Sequence, residues 1–265
     1  MLTRDEPKGE GRGVEKHFVL TANVRSVQGS TRVCNEDDYY VDLDSQVFVV
    51  ADGIRGSRAG EIASELACRL LGDRLSSLRW THDAHGLQMT ERIRETFVEV
   101  NDLLLAHCGD DPRISGMGTT AAAVMIIGEQ LFVAGLGDSR VYLLRDGECR
   151  QLTVDHTLAR ALVEAGILSS ENARFHPYRN VLHKHLGCKE LADGADVDTL
   201  RLKAGDRLLL ATDGLTGRVD NRALQELIDN AATPGQAADR LLEAALDRGA
   251  TDDITCVVVF VDAPV

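Results

Sequence analysis

VFVVADG, running from Val47 to Gly53, is an apolar stretch that halts at an aspartate and a glycine, and two further stretches halt in nearly the same way: LFVAGLGD (Leu131 to Asp138) and LLLATDG (Leu208 to Gly214). Short apolar runs closed by a turn dipeptide read as buried strands. One Asp-Gly after a strand is a turn and nothing more, because Asp bonds its own backbone and Gly accepts positive φ. Three such ends carry more meaning, since Asp252 and Asp253 also stand immediately before a last apolar run, ITCVVVFVD (Ile254 to Asp262). Carboxylates gathered at one edge of a sheet sandwich repel one another unless cations neutralise them, and hard oxygen ligands suit magnesium or manganese. A metal cluster is the economical expectation.

Outward from these runs, FVLTANVRS and DYYVDL precede the first as strand-like segments, and two helices follow it. In the first, beginning near Gly60, Ile62, Ala63, Leu66, Ala67, Leu70 and Leu71 recur at three and four residues; Ile93, Phe97, Val100 and Leu104 do the same in the second. TTAAAVMII, QLFVAGLGDSRVYLLR and ECRQLT then read as an antiparallel meander with Gly128-Glu129 and Asp146-Gly147 as turns. A short helix holding Leu158, Ala161, Leu162 and Ala165 leads into a histidine-rich polar stretch up to His185, placed on the surface as a flap around residues 165–185. After DRLLLATDG come two amphipathic helices and the final buried strand. Strands in runs and helices in pairs predict an α+β fold, a central antiparallel β-sandwich flanked by helices, over a doubly wound sheet. Residues 1–17, rich in glycine and charge, are expected to be a mobile tail ahead of one domain spanning 18–265.

The 265 residues, 44% hydrophobic and 27% charged, suit one large soluble core. No apolar run reaches the roughly 20 residues needed to span a bilayer, and the start is polar, so a cytoplasmic protein is expected. Six scattered cysteines read as free thiols. A formal net charge of −13 repels nucleic acid and anionic membranes, which are excluded as partners. It also repels phosphate, so phosphate chemistry here requires local positive charge from a metal or an arginine.

The motifs then resemble, in order, those of the metal-dependent protein phosphatases of the phosphatase 2C type, from about Val24 to Val259. STRVCNEDDYY is similar to that family's first motif, an arginine four residues before a Glu-Asp pair, here Arg32, Glu36 and Asp37. VVADGIRGSRAGEIAS resembles its metal-binding strand-turn-helix, GMGTTAAAV its glycine-threonine strand and VAGLGDSRVYLLRDG its Gly-Asp-Ser-Arg hairpin. LTVDHTLARALVEAG, HPYRNVLHKHLG, LLLATDGLT and GATDDIT match the remaining blocks. The resemblance implies a centre of two metal ions, or three, Mn2+ or Mg2+, at one end of the sandwich. By motif, Asp52 bridges the metals, the Gly53 carbonyl helps bind one, Asp213 and Asp252 hold the other, Asp37 acts through bound water, and Asp138 supports a third site with Asp213. Arg32 is the phosphate clamp, its guanidinium fork matching two phosphoryl oxygens. The implied activity is hydrolysis of phosphoserine and phosphothreonine in proteins by a metal-bridging hydroxide, with Arg32, Asp37 and Asp52 as catalytic residues. The implied substrates are those of a bacterial Ser/Thr kinase, met by a monomer.

The chain departs from the family pattern in two places. Bacterial members usually read Asp-Gly-Met-Gly-Gly-His where this chain has Asp52-Gly53-Ile54-Arg55-Gly56-Ser57. Arg55 either occupies an exposed turn or reaches towards the phosphate or a substrate acid. Ile54 takes a place where some relatives have a histidine, and cannot donate a proton, which leaves protonation of the leaving group to water. The last motif usually reads Asp-Asn and here reads Asp252-Asp253, a second carboxylate that adds to metal binding or sits in a turn. His176, His183 and His185 fall in the flap and read as surface residues, while Arg140 and His156 read as structural partners. Two rival functions share the fold: a non-catalytic phosphoprotein-binding module, and a phosphatase dedicated to one anti-sigma antagonist.

Overall fold

The computed structural model describes residues 18–54, 58–78, 86–109, 111, 113–173, 175–191 and 193–263. The tail expected over residues 1–17 and the Arg55 turn lie outside them.

Two antiparallel sheets face each other. One runs in the order β1 (Val19–Val27), β11 (Ile254–Asp262), β10 (Arg207–Ala211), β7 (Arg140–Arg145) and β8 (Glu148–Gln151). The other runs β2 (Asp37–Asp42), β3 (Val47–Ile54), β5 (Ala121–Ile127), β6 (Gln130–Leu136) and β9 (Asp196–Arg201), with the short β4 (Gly118–Thr119) also on β3. Alternation with period two sorts each run between two layers. Phe48 and Val50 of β3 meet Leu208, Leu210, Val257 and Val259 between the sheets. Val47, Val49 and Ala51 face outward onto α1 (Arg58–Leu78) and α2 (Gly86–Cys108), where Ala63, Ala67, Leu71, Phe97 and Val100 wait. On the far side Leu209, Ala211, Cys256 and Val258 pack on α6 (Asn221–Asp229) and α7 (Pro234–Asp247) through Leu224, Ile228, Ala238 and Leu241. Both faces of both sheets are therefore covered, which is why the central strands are apolar throughout rather than alternating with polar residues. The layers are helix, sheet, sheet, helix, as the sequence predicts.

Phe97 is wholly buried in the layer between α2 and the sheet. Phe97→Ala is expected to lower the unfolding free energy by about 3–5 kcal/mol, the usual cost of truncating a core aromatic, read from the denaturant midpoint.

One expectation fails in an informative way. QLFVAGLGDSRVYLLR is no meander: β6 and β7 belong to different sheets, so the Gly-Asp-Ser-Arg block is a crossover and not a hairpin. Gly137 makes the crossing with φ +98, and a Cβ there would sit 2.6 Å from Thr120 Cγ2. The true hairpin is β7–β8, turned at Asp146-Gly147, with Asp146 itself at φ 53. Two elements had no distinct sequence signal, the edge strand β9 and the single-turn helix α5 (Asp213–Thr216). In the stretch after α3 (Leu158–Glu164), Ile167, Phe175 and Tyr178 are exposed.

Candidate metal centre

The first carboxylate pair is set by strand register. Asp37 opens β2 and Asp52 stands near the end of β3, and the two are direct partners across that ladder. Asp52 is held through its backbone: its N–H donates to Thr120 Oγ1 at 2.9 Å, and its carbonyl accepts from Thr120 N–H and Thr119 Oγ1, each at 2.9 Å. The next residue must be glycine, since a Cβ on Gly53 would lie 2.4 Å from the Gly60 carbonyl oxygen at the start of α1. The Gly53 N–H donates to the Glu36 carbonyl at 2.9 Å, which ties the first motif to the end of β3.

The opposing sheet supplies the rest. Asp213 follows β10 as the first residue of α5, and its carboxyl faces that of Asp52. Asp252 stands just before β11. Thr212, between β10 and α5, donates its hydroxyl to Asp37 Oδ2 at 2.8 Å, the bond that closes one sheet onto the other at this end. Asp138 arrives from the crossover and faces Asp213 and Asp155. A cleft of about 250 Å³ opens here, lined by Asp138, Arg140, Asp213 and Asp252 and flanked by Arg179 and Arg218.

The electrostatics are those of crowded acids. Burial first, and then the charges of Asp253 and Asp213, push Asp37 up to about 8, against the bond from Thr212. Burial and the neighbouring carboxylates Asp37, Asp213 and Asp138 hold Asp52 well above the usual carboxylate range. Asp138 is raised to about 8 by burial and by Asp213, and Asp213 is raised by burial and by Asp252. Among the described residues no three such side chains close around a single point. They are engaged pairwise instead, Asp52 with Asp213, Asp37 with Thr212, and Asp252 with Arg32.

Arg32 stands against Asp252, one of the residues that line the cleft. Its Nε donates to Asp252 Oδ1 at 2.6 Å and its Nη1 to Glu36 Oε2 at 3.2 Å. The sequence profile of the family described as Protein phosphatase 2C matches residues 29–248. The chain belongs to that family. Among curated relatives of this phosphatase 2C chain, the serine/threonine phosphatase stp of Listeria monocytogenes is 35% identical over 243 residues, 91% of this chain and 95% of that one. The structure of the catalytic domain of the serine/threonine protein phosphatase PstP, in complex with two manganese ions, superposes with a TM-score of 0.79 at 32% identity, covering 93% of this chain and all of that one. Stp1 from Staphylococcus aureus gives 0.84 at 29% identity, over 96% and 100% of the two chains.

Of the residues singled out from sequence, this phosphatase 2C fold brings Arg32, Asp37, Asp52, Gly53, Asp138, Asp213 and Asp252 to one end of the sandwich. Arg140 is the structural partner expected, its Nε and Nη2 gripping the two oxygens of Asp155 at 2.9 and 2.6 Å and its Nη1 reaching Tyr142. His156 accepts from the Gly137 N–H at 3.0 Å and lies 3.1 Å from Asp196, fixing the crossover. Sequence reasoning missed Thr212, Thr120 and Asp155, polar residues whose partners are remote in the chain. The flap histidines gather no ligand set among the described residues.

Proposed function

We propose that the protein hydrolyses phosphoserine and phosphothreonine in proteins, with divalent metal held by Asp37, Asp52, the Gly53 carbonyl, Asp213 and Asp252, and with Asp138 beside a third ion. The observation that carries this reading is Asp37 Oδ1. It is buried with no hydrogen-bond partner among the described residues, in a nest of carboxylates that depress one another's ionisation. A buried acceptor left unmet and a cluster of like charges are both relieved by a hard cation, so the donor set fits Mn2+ or Mg2+. The named relatives, serine/threonine phosphatases with a manganese-bearing example among them, support the same conclusion.

Bound metal supplies Lewis acidity and positive charge where the phosphoryl group would sit. The chain's own residues do the rest. Arg32 offers a planar fork to two phosphoryl oxygens, and a phosphate arriving there exchanges with Asp252 and Glu36 for its N–H groups. Thr212 holds Asp37 in one rotamer through its hydroxyl, and the backbone bonds to Thr119 and Thr120 fix Asp52. Ile54 offers no proton, so the leaving serine or threonine oxygen takes its proton from water. Arg55, which follows Ile54 in the sequence, is a candidate contact for the substrate. The six thiols are all free, which suits a monomer working in the reducing cytoplasm against a Ser/Thr kinase. No described helix is long and apolar enough to cross a membrane.

Phosphate release from a phosphothreonine peptide, with and without Mn2+, tests the reading. Release is expected to need the metal, to stop on chelation, and to be at least about tenfold slower on a phosphotyrosine peptide, a preference of about 1.4 kcal/mol. An intact, metal-loaded protein that protects the peptide without releasing phosphate would instead be the binding module.

A further inference from the structure

The loop that carries Arg32 is closed at both ends by one side chain. The Gly29 N–H donates to Asp253 Oδ1 at 2.8 Å, and the Glu36 N–H donates to Asp253 Oδ2, also at 2.8 Å. Asp253 is 3% exposed, so neither bond is shared with bulk water. We propose that Asp253 is a positioning residue for the phosphate clamp: by accepting one backbone N–H on each oxygen it sets the span 29–36 and so fixes where the Arg32 guanidinium stands relative to Asp252.

Three neighbouring contacts agree with this assignment. The Thr31 hydroxyl donates to the Thr251 carbonyl at 2.8 Å, so the loop is docked on the residues leading into β11. Gly29 lets the two backbones touch, since a Cβ there would lie 2.3 Å from the carbonyl carbon of Asp252. The Asp253 N–H donates to Asp252 Oδ1 at 2.8 Å, the oxygen that also receives Arg32 Nε at 2.6 Å. Side chain and backbone of one residue thus hold the cation and its carboxylate partner to a common frame.

The double acceptor is this chain's own arrangement, since the family's usual residue at the position is asparagine. Two N–H donors converge on the two oxygens of one carboxyl, an acceptor at each. An asparagine has one acceptor and one NH2, so one of the two backbone donors would face another donor. Volume would be unchanged, and the loss would fall on one end of the loop.

The proposal rests on the phosphatase reading above, and its test separates the two. Asp253→Asn, Arg32→Ala and the double variant are compared in the full chain, with Mn2+ present. Asp253→Asn is expected to raise KM for the phosphothreonine peptide about tenfold, roughly one charge-assisted contact, with kcat within about threefold. Amide exchange at Gly29 or Glu36 should quicken while exchange along β11 stays as in the parent. The double variant should have the KM of Arg32→Ala alone, because a positioning residue has nothing left to position. A KM unchanged by Asp253→Asn, losses that add in the double variant, or a variant that does not fold would each overturn the proposal, the last by showing that the loop serves the fold as a whole. If the parent itself releases no phosphate, the phosphatase reading fails, whereas the exchange experiment still reports whether Asp253 ties the loop.

Discussion

Asp52→Ala is expected to release phosphate from the phosphothreonine peptide on the order of 10³-fold more slowly than the parent, a loss of about 4 kcal/mol in transition-state stabilisation. Asp52 is the residue where both halves of the site meet: it pairs with Asp37 across β2–β3 and faces the charge of Asp213 from the other sheet. Asp213→Ala should behave in the same way. Inactivity alone does not distinguish a lost ligand from a lost fold, but the electrostatics do. Asp52 is raised by burial and by the carboxylates around it, so removing it relieves repulsion. The metal-free Asp52→Ala protein should therefore melt at or above the parent at pH 8, and manganese should no longer raise its melting temperature. A variant that is inactive and also melts well below the parent would place Asp52 in the fold and not in the chemistry.

The second large effect concerns pH. Asp37 and Asp138 are raised to about 8, and Asp52 and Asp213 are raised as well. An acid whose folded pKa lies above its unfolded value, about 4, holds more protons in the folded state, so stability falls as pH rises between the two values. As far as these groups decide it, the metal-free protein is thus most stable at and below about pH 4, and loses that advantage on the way to about pH 8. The acids are coupled and do not ionise independently, and a combined loss of about 3–5 kcal/mol corresponds to a melting point lower by about 10 °C at pH 8.5 than at pH 5. Manganese reverses the slope: it needs the ionised forms, so its stabilisation should be larger at pH 8 than at pH 5. Equal melting points across this range in chelator, or a metal effect independent of pH, would contradict the cluster.

The sequence showed Asp52, Asp138 and Asp213 because each sits where an apolar strand ends, a local event in the chain. Val47–Gly53 and Leu208–Gly214 could be read that way without knowing which strands pair. The crossover at Gly137 could not, since alternating apolar residues look alike whether the chain turns back on its own sheet or passes to the other. Strand β9 was missed because an edge strand half open to water, DVDTLR, carries little apolar contrast. The Asp253 carboxylate read as an added charge for metal binding or a turn residue, whereas its neighbours prove to be two backbone N–H groups more than two hundred residues earlier. What was legible depended on sequence-local patterning, and what was not depended on tertiary partners.

Strand β11 lies between β1 and β10, so the first strand of the fold is paired by the last. During synthesis β1 leaves the ribosome early and its hydrogen-bonding edge stays unmatched until residues 254–262 follow, a long-range pairing of the kind that folds slowly. Asp252 and Asp253 enter with that strand. The loop bearing Arg32 lacks its bonds to Asp253, and the ligand set its fourth carboxylate, until then, so a chain truncated before Asp252 is expected to release no phosphate.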